Sequence, residues 1–207
     1  MQIYCPICGR GYAQKLKDTW LVVCDTCHHL VKGSGLEPDQ LMMPDDWSNI
    51  QVGTTGLYKS QNFTIMGRIR LQMKNDFRNL WCAQYGQEIM WIGQSLESIG
   101  FFKPPFAPYP HNFDQIRAGV NIEFSEQIKL KCELVEKCIE IRYEGELSPF
   151  PFPMGNFNLI QASNAAGNTV LVFHQNENSI QFLWGEVMLV YGVTFNNTKT
   201  WSQWETK

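Results

Sequence analysis

Cys5, Cys8, Cys24 and Cys27 constrain this chain more than any other residues. Two residues separate the members of each pair, and fifteen lie between the pairs. A C-x2-C step lets one tight turn aim two sulfurs at a single ion, and the gap is long enough for a hairpin to carry the second pair back to the first. The spacing predicts one tetrahedral four-thiolate site suited to zinc, although four thiolates also suit iron. Four sulfurs close the coordination shell, so the site reads as structural rather than catalytic. A segment of about 30 residues cannot bury enough apolar surface to fold alone, and metal binding would supply its folding free energy.

The flanking residues agree. Pro6 fixes φ after Cys5, and Gly9 can take the positive φ that such a turn needs. The second pair follows the strand-like run Trp20-Leu21-Val22-Val23. Residues 3 to 33 as a whole resemble a zinc ribbon, with two metal knuckles on short β-hairpins. His28 and His29 follow the last cysteine and read as neighbours of the site, since four thiolates already fill it. Two disulfides would require an oxidising compartment, yet Met1-Gln2-Ile3-Tyr4 has neither the basic nor the apolar stretch of a secretory signal. Cys82, Cys132 and Cys138 belong to no motif, and an odd remainder fits reduced thiols in a cytoplasmic setting.

With 207 residues, 44% of them hydrophobic and 18% charged, the chain can hold a small metal module and a β-rich body. No apolar run approaches the roughly 20 residues of a membrane-spanning helix. Residues 1 to 33 carry four basic and two acidic side chains, whereas the remainder carries 13 basic and 18 acidic. Four thiolates and one zinc bring the ribbon close to neutral. That balance is poor for gripping a phosphate backbone, which rewards clustered Lys and Arg.

Residues 34 to 48 read as a linker, with Gly33-Ser34-Gly35 at its start and Pro38, Pro44, Asp45 and Asp46 along it. From 49 to 207 the expectation is a β-rich body, barrel- or sandwich-like, with two similar halves; the chain is all-β. Phe63 to Lys74 alternates with period two, placing Phe63, Ile65, Gly67, Ile69, Leu71 and Met73 on one face. Arg68, Arg70 and Lys74 fall on the other, exposed or paired, and Gly67 marks a bend or bulge. Leu80 to Tyr85 and Glu88 to Ile92 form a hairpin across Gly86-Gln87. Ile128 to Leu134 and Cys138 to Tyr143 read as two strands around Glu136-Lys137. Asn158 to Ala162 and Thr169 to His174 flank a turn, Ile180 to Tyr191 closes the set, and a short helix fits Asp114 to Ala118.

The phrases Val52-Gly53-Thr54-Thr55-Gly56, Phe63 to Ile69, Leu80-Trp81 with Glu88 to Ile92, Glu144-Gly145-Glu146-Leu147-Ser148-Pro149 and Leu183-Trp184-Gly185-Glu186-Val187 occur in that order. Together, over residues 47 to 190, they resemble a bacterial domain-of-unknown-function family, number 4178, whose members often carry an N-terminal zinc ribbon. This chain departs from that pattern by inserting Ser148 before Pro149, and by Cys82-Ala83-Gln84 where an acidic or aromatic step would be expected. The resemblance implies no reaction. It implies an accessory role beside membrane-associated and polyamine-related bacterial proteins.

No catalytic constellation assembles from the sequence. Glu144 and Glu146 could perturb one another on a strand, but Gly145 suggests a turn with both solvated. His111 and His174 lie far apart in sequence, and Gly53 to Gly56 lacks the lysine of a phosphate loop. The proline-aromatic run with Phe101, Phe102, Phe106 and Tyr109 is the candidate partner-binding arm, set against a role in plugging the β body. The resulting expectation is a non-enzymatic accessory or adaptor protein with structural zinc, acting through other proteins. The alternative is a nucleic-acid-binding ribbon protein that uses Arg10, Lys15, Lys17 and Trp20 with the Arg68, Arg70, Lys74 stripe.

Overall fold

Eight antiparallel strands close on themselves in the computed structural model, which describes residues 2–33, 42–95, 97–104, 116–123, 128–149, 155–176 and 179–200. A first meander runs through β5 (Thr55–Tyr58), β6 (Gln61–Met73), β7 (Phe77–Tyr85), β8 (Glu88–Gln94) and β9 (Ser98–Lys103). A second runs from β10 (Asn121–Glu123) through β11 (Lys129–Leu147), β12 (Phe157–Ser163) and β13 (Asn168–Asn176) to β14 (Ser179–Leu189). β9 pairs with β14 at one seam, and β11 pairs with both β12 and β6 at the other. The circuit β6-β7-β8-β9-β14-β13-β12-β11 therefore returns to β6 as a closed barrel. The remaining strands are β1 (Gln2–Tyr4), β2 (Gly11–Ala13), β3 (Leu21–Val23), β4 (Leu30–Lys32) and β15 (Phe195–Asn196).

Each of the eight strands sends buried side chains into one cluster. Ile69 and Leu71 of β6, Leu80 of β7, Trp91 of β8, Phe102 of β9 and Leu183 of β14 meet Phe173, Leu159 and Tyr143 from the remaining three. An eight-stranded barrel has a lumen just wide enough for its own side chains or one small ligand. A second cluster covers the outer face of the first meander, where Ile50, Tyr58 and Val193 pack on Phe63, Ile65, Trp81 and Phe101.

The two clusters explain where the sequence alternation breaks. The register of β6 against β7 slips between Ile65 and Gly67, so Met66 is an inserted bulge residue. One extra residue exchanges the faces. Phe63 and Ile65 join the outer cluster, while Ile69, Leu71 and Met73 point into the lumen. Ile65, Ile69 and Leu71 are buried as expected, although not on one common face. Arg68 and Arg70 are carried to the outer face, where covering chain encloses them at 2% and 7% exposure. Lys74 alone of that stripe is exposed. A basic surface stripe is therefore not formed.

Two other expectations are corrected. Residues 129 to 147 form one long strand, not two around Glu136-Lys137. No glycine or proline interrupts that span before Gly145, and bulges at Cys132/Leu134 and Cys138/Glu140 bend it from β12 onto β6. Phe101 and Phe102 lie inside β9 and are each 3% exposed, so they are core residues rather than a free arm. Phe101 stacks on Tyr58 at 3.9 Å between ring centroids, and Phe102 faces the lumen. Phe106 and Tyr109 lie outside the described residues, as do Asp114 and Gln115 of the expected short helix, whereas Ile116 to Ala118 are described and are not helical.

The described part of the expected linker, 42 to 48, is anchored to the barrel at Asp46 and Ser48. Asp46 and Ser48 are buried, and Asp46 Oδ2 pairs with Arg68 at 2.7 Å, Asn79 at 3.0 Å and Arg70 at 3.3 Å. Arg68 and Arg70 also lie over the Trp81 and Phe77 rings. Two buried cations thus share one buried carboxylate, an arrangement that holds the covering chain against the barrel.

Candidate metal centre

The four cysteines converge because two hairpins present equivalent turns. β1 pairs with β2, and β3 pairs with β4. At the first knuckle the Gly9 amide donates to the Cys5 carbonyl at 3.0 Å, with Gly9 at φ +73°. At the second the His28 amide donates to the Cys24 carbonyl, also at 3.0 Å, with His28 at φ +59°. Each turn places both of its sulfurs on the same side, and the two turns face one another.

All four sulfurs lie within 4.8 Å of each other, with Cys5–Cys27 and Cys8–Cys24 at 3.5 Å. These separations far exceed the roughly 2 Å of a disulfide. They approach the edge of about 3.8 Å expected for a tetrahedron with metal–sulfur bonds of about 2.3 Å. Cys5, Cys8, Cys24 and Cys27 could therefore hold a metal ion, in agreement with the sequence. His28 is exposed, and the His29 ring contacts the Cys27 carbonyl oxygen at 3.0 Å.

Neighbouring dipoles favour thiolate at the buried corner. The Thr26 and Cys27 amides point at the Cys24 sulfur, each at 3.4 Å. The Tyr12 hydroxyl lies 3.2 Å from that sulfur and accepts the Asp25 amide at 2.8 Å. Burial raises the Cys24 thiol, but the Tyr12 hydroxyl and these amides outweigh it and bring the group down to about 6. The His29 amide lowers Cys27, yet burial and the three adjacent sulfurs push it up to about 12. Four sulfurs this close cannot all ionise without a cation between them, and a bound divalent metal supplies that charge. Arg10 adds an ion pair to Asp25 at 2.9 Å.

The four-cysteine ribbon is continuous with the barrel. β3 pairs with the end of β11 through Val22–Glu146 and Leu21–Leu147. Leu16, Leu21 and Val23 join the luminal cluster beside Leu147 and Tyr143, closing that end of the barrel. Burial of three such side chains contributes about 1.5–3 kcal/mol each to the attachment. Glu146 fixes the loop between the hairpins. Its carboxylate, 8% exposed for the residue, accepts the Leu16 amide at 2.9 Å, the Lys15 amide at 3.0 Å and the Thr19 hydroxyl at 2.5 Å.

The Glu144-Gly145-Glu146 phrase is thus a junction, not a solvated turn or a carboxylate pair. Glu144 turns to Arg68 at 2.7 Å, Glu146 turns to the ribbon, and Gly145 lets the strands cross between them. Gly145 has φ +74° and sits opposite Gly67, where a Cβ would lie 2.5 Å from the Glu146 carbonyl oxygen. Tyr12 and Glu146 escaped the sequence reading as parts of this centre. A tyrosine on a strand carries no metal-site spacing, and Glu146 acts from 130 residues away from Leu16.

The other thiols differ from the cluster. Burial pushes Cys82 up to about 12 and Cys138 up to about 11, and it also raises Cys132. All three are buried neutral core residues. Among the described residues no helix is long and apolar enough to cross a membrane. Comparison with protein-family models, curated proteins and solved structures found no match.

Proposed function

We propose that this chain is a non-enzymatic accessory protein that acts by binding other proteins, with one structural zinc held by Cys5, Cys8, Cys24 and Cys27. The observation that carries the reading is the four-sulfur array itself, whose inner side is packed into the barrel end and whose outer knuckle is exposed. Four thiolates leave no coordination position for water or substrate. The ion's work is then to hold the knuckle rigid. On that knuckle Tyr4 and Ile7 are 62% and 63% exposed, an apolar pair on a preorganised turn.

The accessory role implied by the resemblance to the bacterial 4178 family points the same way, and a reducing, cytoplasmic setting suits the three buried neutral thiols. Nucleic-acid binding loses its main support, because Arg68 and Arg70 are enclosed with Asp46. The test is affinity purification of the intact chain beside a Tyr4→Ser/Ile7→Ser variant. The proposal expects a partner protein that is recovered with the native chain and lost with the variant, at equal metal content and thermal midpoint. Recovery that is indifferent to the knuckle, or salt-sensitive recovery of nucleic acid alone, would overturn it.

A further inference from the structure

Among the described residues, the barrel end away from the four-cysteine ribbon is open. Leu71, Leu80, Phe102, Leu159, Leu171 and Val187 line a cavity of about 320 Å3 there. This size lies at the lower end of the range for small-molecule sites, and an eight-stranded barrel is the architecture that holds one such ligand. The space has a local cause. Gly93 and Gly100 face one another across β8 and β9, and neither places a side chain in the lumen. Any side chain at Gly100 would collide with the Phe102 ring, which lies over it.

Among the described residues that line the mouth, two buried side-chain atoms lack a hydrogen-bond partner, Arg78 Nε and Asn79 Oδ1, and only Arg78 Nε is a donor. Arg78 sits opposite Leu71 and shares the luminal face of β7 with Leu80. Its Nε is buried and has no hydrogen-bond partner. Its Nη2 forms a long ion pair with Asp76 at 3.7 Å, which leaves Nε without a partner. Ser95, Ser98 and Glu133 at the rim already have partners. Ser95 and Ser98 bond to each other at 2.7 Å, and Glu133 accepts Gln161 at 3.0 Å and the Ser163 hydroxyl. A buried donor left unpaired is costly, and a carboxylate would satisfy it with a charge-assisted bond. Glu133 at the same mouth disfavours a doubly charged head.

From this geometry we infer that the open end of the barrel binds a small monocarboxylate amphiphile, its apolar body in the lumen and its head on Arg78. This site is separate from the metal knuckle and does not depend on the protein-binding reading. The test uses the full metal-loaded chain, with decanoate and decanol as probes in calorimetric titration. The native protein should bind decanoate saturably at one site per chain. Arg78→Gln should weaken decanoate about tenfold or more, in line with loss of a charged hydrogen bond, and should leave decanol unchanged. Leu171→Trp should fill the cavity and abolish both. Val187→Trp fills the same space from the rim and serves if Leu171→Trp does not fold. Absence of saturable decanoate binding to the native chain would overturn the site, as would full binding to either folded tryptophan variant. Equal weakening of decanoate and decanol by Arg78→Gln would overturn the assignment of the head.

Discussion

Glu146→Ala should loosen the ribbon from the barrel and weaken metal retention together. The carboxylate receives two backbone amides and one hydroxyl from the Lys15–Thr19 loop. A hydrogen bond to a charged group contributes about 1.5–3 kcal/mol, and a buried donor left unpaired costs a similar amount. Lys15 is exposed, so water can replace its bond, whereas Leu16 and Thr19 are buried. The net loss is then about 3–5 kcal/mol. For a chain of this size each kcal/mol moves the thermal midpoint by about 2–4 °C, so even the lower figure predicts a fall of roughly 6–12 °C. Because Leu16 then leaves the barrel end, a competing chelator should also strip the metal faster. Glu144→Gln is the control. Its partner Arg68 keeps Asp46, and Glu144 is 38% exposed, so that change should cost no more than about 1 kcal/mol. Equal midpoints for Glu146→Ala and the native chain, or equal losses for the two variants, would refute this coupling of ribbon to barrel.

Asp46→Ala should destabilise by about 3–5 kcal/mol in urea unfolding, because it leaves the buried Arg70 without a carboxylate and Arg68 with Glu144 alone; loss of Arg68 and Asp46 together should be less than additive. Phe102→Ala should lower stability by about 3–5 kcal/mol by truncating a luminal side chain, as expected for core and not for an exposed binding arm. Glu186 should give an acid-dependent contribution. The Tyr58 hydroxyl and then Lys59 hold its carboxyl below its ordinary 4.5, so the stabilisation is present above that pH and is lost as pH falls through the lower folded value. Glu186→Gln should flatten the midpoint-versus-pH curve on its acid side.

The convergence of the four cysteines is legible because its determinants are local. Cysteine spacing, Pro6 and Gly9 specify a turn whatever the rest of the chain does. The hairpin across Gly86-Gln87 was legible for the same reason, and it forms with Gly86 at φ +60°. What the sequence hid was decided by distant neighbours. The alternation leaves Arg68 and Arg70 either exposed or paired, because it cannot show that Asp46, more than 20 residues earlier, folds over them. Gly67 marks the bulge, and the register slips between Ile65 and Gly67, but strict alternation does not show that the inserted Met66 moves every later β6 side chain to the opposite face. The 19-residue span of β11 was broken at Glu136-Lys137 because polar residues there resemble a turn, whereas two pairing partners keep it extended. Barrel closure rests on the β6–β11 and β9–β14 pairings, which join segments far apart in sequence.

X-ray absorption at the zinc edge of the purified chain reads the coordination shell itself. One zinc per chain is expected, with four sulfur neighbours at about 2.3 Å and no oxygen or nitrogen in the shell. A chain without metal and with Cys5–Cys8 and Cys24–Cys27 disulfides would contradict it, as would an iron site or a zinc shell that contains water or histidine.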